Sequence, residues 1–184
     1  DFGGLMTIDT QAALDYNDYH FYVDHYNFPN VQWDGRDWRI RDSSHLAGGL
    51  TNLVAMASAR PFGKPFTVSE FNQNWPNRRG QEMLPVMGAF AAFQDWDGLM
   101  HFAYSHGRGW DAGVPNGFNL NGDWAKWVSF GQAAFLFRTE AVAAGPSLFK
   151  IPVGYDDRLR YTRENRNRAF AAFLTETYGI RPEN

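Results

Sequence analysis

The chain has 184 residues, with 17 basic and 20 acidic side chains and a formal net charge of −3. This balance excludes a protein that holds nucleic acid by positive charge alone, and no apolar run approaches the roughly 18–20 residues that a membrane span needs. The absence of cysteine excludes disulfides, thiolate metal sites and a cysteine nucleophile. Aromatic residues make up 17% of the chain, including seven tryptophans. Flat aromatic surfaces bind sugars and nucleobases alike, and the acidic balance favours sugars.

Short apolar runs alternate with helical patterns along the chain, and this alternation is typical of βαβ units around a parallel sheet. The first predicted elements are a doubtful strand at 5–8, a brief helix at 10–14 and a strand at 19–23. A helix that Ser43 caps and that runs to about Ala57 follows, and then a strand at 65–71, a helix at about 81–94 and a strand at 99–104. The last predicted elements are a helix at about 124–142, an extended piece at 148–153 and a helix at about 163–178. Polar, tryptophan-bearing loops follow the strands. In β/α folds the active site lies on such loops.

One carboxylate stands out by its position. Glu70 closes an otherwise apolar strand at the point where the strand leaves the sheet. A carboxylate there is partly desolvated and faces a cleft, which suits a nucleophile or a general acid/base. The alternative is a structural ion pair between Glu70 and Arg78 or Arg79.

Three polar residues alternate along the first clear strand. His20, Tyr22 and Asp24 share one face by the period-2 rule, and three polar side chains on one face indicate the mouth of a site. A tyrosine hydroxyl there can hold a neighbouring carboxylate in its ionised form. His20 by itself would more often be a structural histidine, and it is the alternating set that favours a functional site. His20, Asp24 and His25 match no zinc signature, so we predict no metal and no cofactor.

Tryptophans are concentrated in the predicted strand-to-helix loops. The loop tryptophans are Trp33, Trp38, Trp75 and Trp110. Their shared position favours a platform on which sugar rings stack, and the alternative is that they cover the core as lids. Trp96, Trp124 and Trp127 lie on or beside helices, and we interpret them as packing residues.

Several runs follow one another in an order that is familiar from a known family. They are Asp18–Tyr22 ahead of Asp24 and His25, Gly63–Asn72 with Glu70 inside it, Phe93–Gly98 leading into Phe102–Ser105, and Ala133–Arg138. Together they resemble strand six, strand seven, strand eight and the closing helix of clan A glycoside hydrolases. These are the (β/α)8 retaining enzymes of the cellulase and β-mannanase type, including glycoside hydrolase family 5. The resemblance covers roughly residues 5–145.

The resemblance implies roles for individual residues. Glu70 would be the nucleophile, Tyr22 its hydrogen-bonding partner and His20 a sugar contact, while Tyr104 or Trp110 would supply the platform after strand eight. The full substrate-binding set is His20, Tyr22, Asp24, His25, Trp38, Asn72, Trp75, Tyr104 and Trp110. The resemblance further implies a β-linked oligo- or polysaccharide as substrate and a secreted or periplasmic location.

Two features depart from the family pattern. A full barrel needs about 200–250 residues, and the family's acid/base Glu, which follows an Asn, has no counterpart because the chain contains no Asn-Glu dipeptide. We therefore expect an α/β fold that is a partial TIM-type barrel, about strands 5–8, at residues 1–145, with a C-terminal extension and terminal helix at 146–184. A second chain or a second copy would complete it, because inner residues such as Phe66 and Val68 would otherwise lack partners. The alternatives are a non-catalytic carbohydrate-binding half-barrel and an assembly module.

Overall fold

A three-stranded parallel sheet, in the order β1–β2–β3, organises this mixed α/β chain. The computed structural model describes residues 7–48, 50–147 and 150–164. Its elements are α1 (Ile8–Ala12), β1 (Asn17–Val23), α2 (Thr51–Ser58), β2 (Phe66–Gln73), α3 (Met83–Phe93), β3 (Gly98–His101), α4 (Trp124–Arg138) and α5 (Tyr155–Arg163). The parallel sheet predicted from the alternating pattern is thus confirmed for the three clear strands.

The predicted strand at 5–8 is wrong at Ile8, where α1 begins; residues 5 and 6 lie outside the described ranges. The last strand is shorter than predicted, because β3 ends at His101. The Phe102 N–H still donates to the Phe71 carbonyl of β2 at 3.1 Å, but from Ala103 onward the backbone pairs with a loop. The Ala103 N–H donates to the Phe118 carbonyl at 3.0 Å, and the Leu120 N–H donates to the Ala103 carbonyl at 2.8 Å.

The second helix begins seven residues later than predicted, with Leu50 and not Ser43 at the cap position. Ser43 does not cap it, because the Ser43 N–H and hydroxyl both donate to the Asp24 carboxylate. The following turn is held by Ser44, whose hydroxyl accepts the Ala47 N–H at 3.0 Å. Leu50 then takes a left-handed conformation with φ of 58°, and α2 starts directly after it.

The fourth helix begins where the sequence predicts and ends four residues earlier. Asp123 caps it by accepting the Lys126 N–H at 3.1 Å. It ends at Arg138, and Glu140 lies beyond it in a left-handed conformation that a helix cannot continue. The helix α5 precedes the predicted terminal helix at 163–178, of which the part beyond Glu164 lies outside the described residues.

The core lies between one face of the sheet and the helices. Phe66 and Val68 are 1% and 0% exposed, and they belong to the same buried cluster as Leu53 and Met56 of α2 and Met87 of α3. The expectation that Phe66 and Val68 form an uncovered inner layer is therefore wrong. The helices already cover this apolar face.

The opposite face of the sheet is polar because of a bulge in β2. The register places Tyr19 opposite Val68 but His20 opposite Glu70, so Ser69 is an extra residue. Strict alternation would put Glu70 on the buried face with Phe66 and Val68. The bulge moves it to the face that carries His20 and Tyr22.

Candidate functional site

The candidate site is centred on Glu70, near the carboxyl end of β2. The Tyr22 hydroxyl donates to Glu70 Oε2 at 2.9 Å, and His20 Nδ1 lies 3.3 Å from the same oxygen. The side chains of His20 and Glu70 are 29% and 31% exposed, so solvent reaches both. Arg78 and Arg79 pair with Asp42 and Glu82 instead. The structure therefore contradicts the alternative in which Glu70 forms a structural ion pair with Arg78 or Arg79.

A second carboxylate, which the sequence analysis did not select, stands on the other side of His20. His20 Nε2 lies 3.3 Å from Asp18 Oδ2, so the imidazole sits between Asp18 and Glu70. Burial would raise the pKa of Asp18, but hydrogen bonds from Ser69 and Thr67 and the nearby His20 outweigh it and lower that pKa. Asp18 is two residues before His20 on the same strand, and the period-2 rule extended backwards from His20 would have found it.

Tyr22 is held in the protonated form that its role as donor requires. Burial, and then the hydrogen bond and charge of Glu70, raise the pKa of Tyr22 well above its usual range. A neutral hydroxyl beside a carboxylate donates to it and stabilises the ionised form. The result is a carboxylate with one oxygen fixed in place.

An aromatic cluster adjoins Tyr22, and Phe118 is at its centre. The Phe118 ring lies 5.4 Å from Tyr22, 5.4 Å from His25 and 5.3 Å from Tyr26. The sequence analysis missed Phe118 because it lies in a Gly- and Asn-rich loop with no periodicity. Trp38 joins the cluster through Tyr26, at 5.0 Å between ring centres.

Tyr104 and Trp110 form an exposed stacked pair after β3. Their ring centres are 5.6 Å apart with planes 27° from parallel, and the Tyr104 hydroxyl donates to the Trp110 carbonyl at 3.0 Å. Trp110 is 63% exposed and Tyr104 is 39% exposed. Trp127 meets the Tyr104 ring edge-on at 6.0 Å. The pair presents a flat aromatic surface to solvent.

The remaining tryptophans divide between the core and the surface. Trp96 is buried in the core, as predicted. The interpretation of Trp124 as a packing residue is wrong, since it is 75% exposed at the start of α4. Trp75 is partly exposed, and its backbone N–H donates to the Gly117 carbonyl at 3.0 Å. This bond ties the loop after β2 to the loop that carries Phe118.

Asp24 does not continue the alternation of His20 and Tyr22. It follows β1 in a left-handed conformation with φ of 59°. Its carboxylate accepts the N–H groups of Arg41 and Ser43 and the side-chain amide of Asn77, at 3.0, 2.7 and 2.8 Å. Asp24 therefore anchors the loop after β1.

Asn72 is fully buried, and its hydrogen bonds hold together the segments around the site. Its amide group donates to the carbonyls of Phe102 and Phe118, and its oxygen accepts a hydrogen bond from Lys126 Nζ at 3.0 Å. Burial, opposed by Asp123, lowers the pKa of Lys126 to about 8. The network connects β2 to the loops that carry the exposed aromatic residues.

A cavity of about 760 Å³ opens beside the carboxyl end of β1. Tyr22, Asp24 and His25 line it on the strand side, and Arg39 and Arg41 line it on the loop side. This volume is within the usual range for small-molecule sites. Tyr22 lines the cavity and also donates to Glu70, so the cavity lies next to the carboxylate.

Searches for other functional features and for relatives gave negative results. Among the described residues, no three His, Asp or Glu side chains are grouped so as to hold a metal ion. Within the same ranges, every helix is too short or too polar to cross a bilayer. No family model, curated protein or solved structure matches the chain.

Proposed function

We propose that the chain is part of a retaining glycoside hydrolase of the cellulase and β-mannanase type, in which Glu70 attacks the anomeric carbon of a β-linked sugar. The observation that best supports this is the Glu70 carboxylate held through one oxygen by the Tyr22 hydroxyl, at 2.9 Å, with His20 at 3.3 Å. Both contacts involve Oε2, which leaves Oε1 to face the sugar. A retaining glycosidase needs a nucleophilic carboxylate that is held in a fixed orientation in this way.

The reaction would proceed in two displacements. Glu70 forms a bond to the anomeric carbon while the bond to the leaving oxygen breaks and that oxygen takes a proton from an acid. Water, deprotonated by the same acid/base group, then hydrolyses the glycosyl-enzyme ester and releases Glu70. Tyr22 stabilises the carboxylate before attack and after release.

Asp18 is a poor candidate for the acid/base group, because hydrogen bonds from Ser69 and Thr67 outweigh its burial and lower its pKa. The acid/base carboxyl group would therefore come from a second chain or copy. Retaining enzymes place their two carboxyl groups about 5–5.5 Å apart, and the sequence has no Asn-Glu dipeptide to supply the family's acid/base. We propose that residues 1–145 form about strands 5–8 of a (β/α)8 barrel, and that a second chain or copy supplies the rest. The parallel order β1–β2–β3, with α2, α3 and α4 after the strands, supports this arrangement.

The decisive substrate is an aryl β-glycoside with a good leaving group, because it needs little acid catalysis. We expect Glu70→Gln to reduce its hydrolysis by at least about a thousandfold, in line with the loss of a catalytic nucleophile, and a 2-fluoro glycoside to label Glu70 in the wild type. Glu140→Gln removes an exposed carboxylate beyond α4 and serves as the matched control. Equal turnover by the Glu70→Gln and Glu140→Gln variants would refute the nucleophile assignment.

A non-catalytic carbohydrate-binding function is the second candidate. The exposed stacked pair of Tyr104 and Trp110 favours it, because this surface can hold a sugar ring without any chemistry at Glu70. Binding of β-glucan or mannan oligosaccharides that Trp110→Ala abolishes, together with no labelling of Glu70, would support binding over catalysis.

A further inference from the structure

We infer that the cavity beside β1 binds an anionic group on the sugar, either a carboxylate or a sulfate ester, and that the substrate is therefore an acidic β-glycan. This inference rests on the proposed function, since it names the substrate class of the same site. It is carried by the charges that line the cavity and by its continuity with Glu70.

Two arginines beside the cavity have guanidinium groups that are available to a ligand. Arg39 and Arg41 both line the cavity and both are exposed. Arg39 contributes backbone hydrogen bonds to Asn27, and Arg41 contributes its backbone N–H to Asp24. Neither guanidinium has a hydrogen bond or ion pair with any residue in the described part of the chain. Other arginines of nearby segments, such as Arg36 and Arg78, are paired with aspartates.

The cavity has one acidic residue, which offsets one of these two charges and leaves the lining with a net positive charge. Asp24 lies in the lining, but its two oxygens already accept the hydrogen bonds from Arg41, Ser43 and Asn77. Nearby Asp42 is paired with Arg78. The cavity therefore keeps two planar cations that can each donate two parallel hydrogen bonds to an oxyanion.

The cavity is placed so that a bound glycan would reach both the two arginines and Glu70. Tyr22 lines the cavity and donates to Glu70 Oε2. A volume of about 760 Å³ admits a sugar unit with its substituent. One sugar of the chain can thus carry its anionic group to Arg39 and Arg41 while a neighbouring sugar lies at Glu70.

The test compares ligands that share one backbone and differ in charge. Binding would be measured by calorimetry at low ionic strength, in the Glu70→Gln background, for cellotetraose, the β-1,4-linked glucuronate tetramer and 6-O-sulfated cellotetraose. We expect an acidic tetramer to bind about tenfold or more tightly than cellotetraose, a preference that added salt weakens. The stronger of the two acidic ligands identifies the anion as carboxylate or sulfate.

Arginine substitutions then test whether Arg39 and Arg41 cause the preference for acidic ligands. Arg39→Gln and Arg41→Gln together should bring acidic and neutral tetramers to nearly equal affinity, whereas Arg36→Gln, an exposed arginine already paired with Asp34, should leave the preference intact. If the protein that retains Arg39 and Arg41 binds all three ligands with equal affinity, the inference is wrong, although carbohydrate binding itself is supported. A preference that survives the double substitution would also overturn the inference. An arginine-dependent preference in a protein that never hydrolyses an aryl glycoside would overturn the proposed hydrolase instead, and no binding of any tetramer would overturn both.

Discussion

His101 is a partly buried histidine that the fold holds in its neutral form. Its Nδ1 atom is inaccessible to solvent and has no hydrogen-bond partner within the described residues. Burial, and then the positive charge of Lys126, lower the pKa of His101 to about 3. Its ring packs edge-on against Phe71 and Phe130 at 5.6 and 6.1 Å. The residue behaves as a core aromatic that resists protonation.

This depressed pKa predicts a loss of stability in acid. Between pH 6.5 and 3 the unfolded chain binds a proton at His101 that the folded chain does not, so the free energy of unfolding falls as pH falls. From pH 7 to pH 5 this one group should account for about 2 kcal/mol. Urea unfolding of the wild type and of His101→Phe at both pH values measures it. The variant keeps the ring contacts but should lose that part of the pH dependence, and parallel curves for the two proteins would contradict the assignment.

At the scale of elements, α3 and α4 approach each other closely at a glycine. A Cβ atom on Gly88 would lie 2.6 Å from the Ala133 carbonyl oxygen and 2.9 Å from its Cα. Those atoms are backbone and cannot swing aside. The small residue at position 88 therefore sets the distance at which α4 packs on α3, and through α4 it sets the position of Lys126 behind Asn72.

Gly88→Ala should consequently destabilise the protein by about 1–3 kcal/mol, because overpacking forces the two helices apart. Gly131→Ala is the matched control on α4, where a Cβ would meet nothing within 4 Å. That change should stabilise the helix by about 0.5–1 kcal/mol. Thermal unfolding of both variants gives the comparison, and equal melting temperatures would show that the close contact does not determine the packing.

At the scale of the whole molecule, the sheet has open edges, and apolar side chains are exposed on β3 and on α4. The strands β1 and β3 each pair on one side only within the described sheet. Met100 of β3 is 52% exposed, and Val128 and Phe135 of α4 are more exposed still. Open strand edges and exposed apolar side chains favour association with another chain.

We therefore predict that the isolated chain self-associates at micromolar concentration. Sedimentation velocity should show species heavier than the 21.0 kDa monomer. Met100→Lys places a charge on the edge strand and should shift the population toward monomer, whereas Val31→Lys, at an exposed position in the loop after β1, should not. A wild type that sediments as a monomer and unfolds cooperatively would contradict the prediction.

The sequence by itself determined where the strands lie and which side chains stand at their ends. Alternating and continuous apolar runs are local patterns, so they located β1, β2 and β3 and marked Glu70, His20 and Tyr22 as strand residues of chemical interest. The tertiary structure alone decided that these three meet. The bulge at Ser69 turns Glu70 away from the buried face, and its position depends on pairing with a strand about 50 residues earlier in the chain. Phe118 and the cavity with Arg39 and Arg41 likewise depend on contacts between separate segments, which no local periodicity encodes, whereas Asp18 shares the period-2 face of His20.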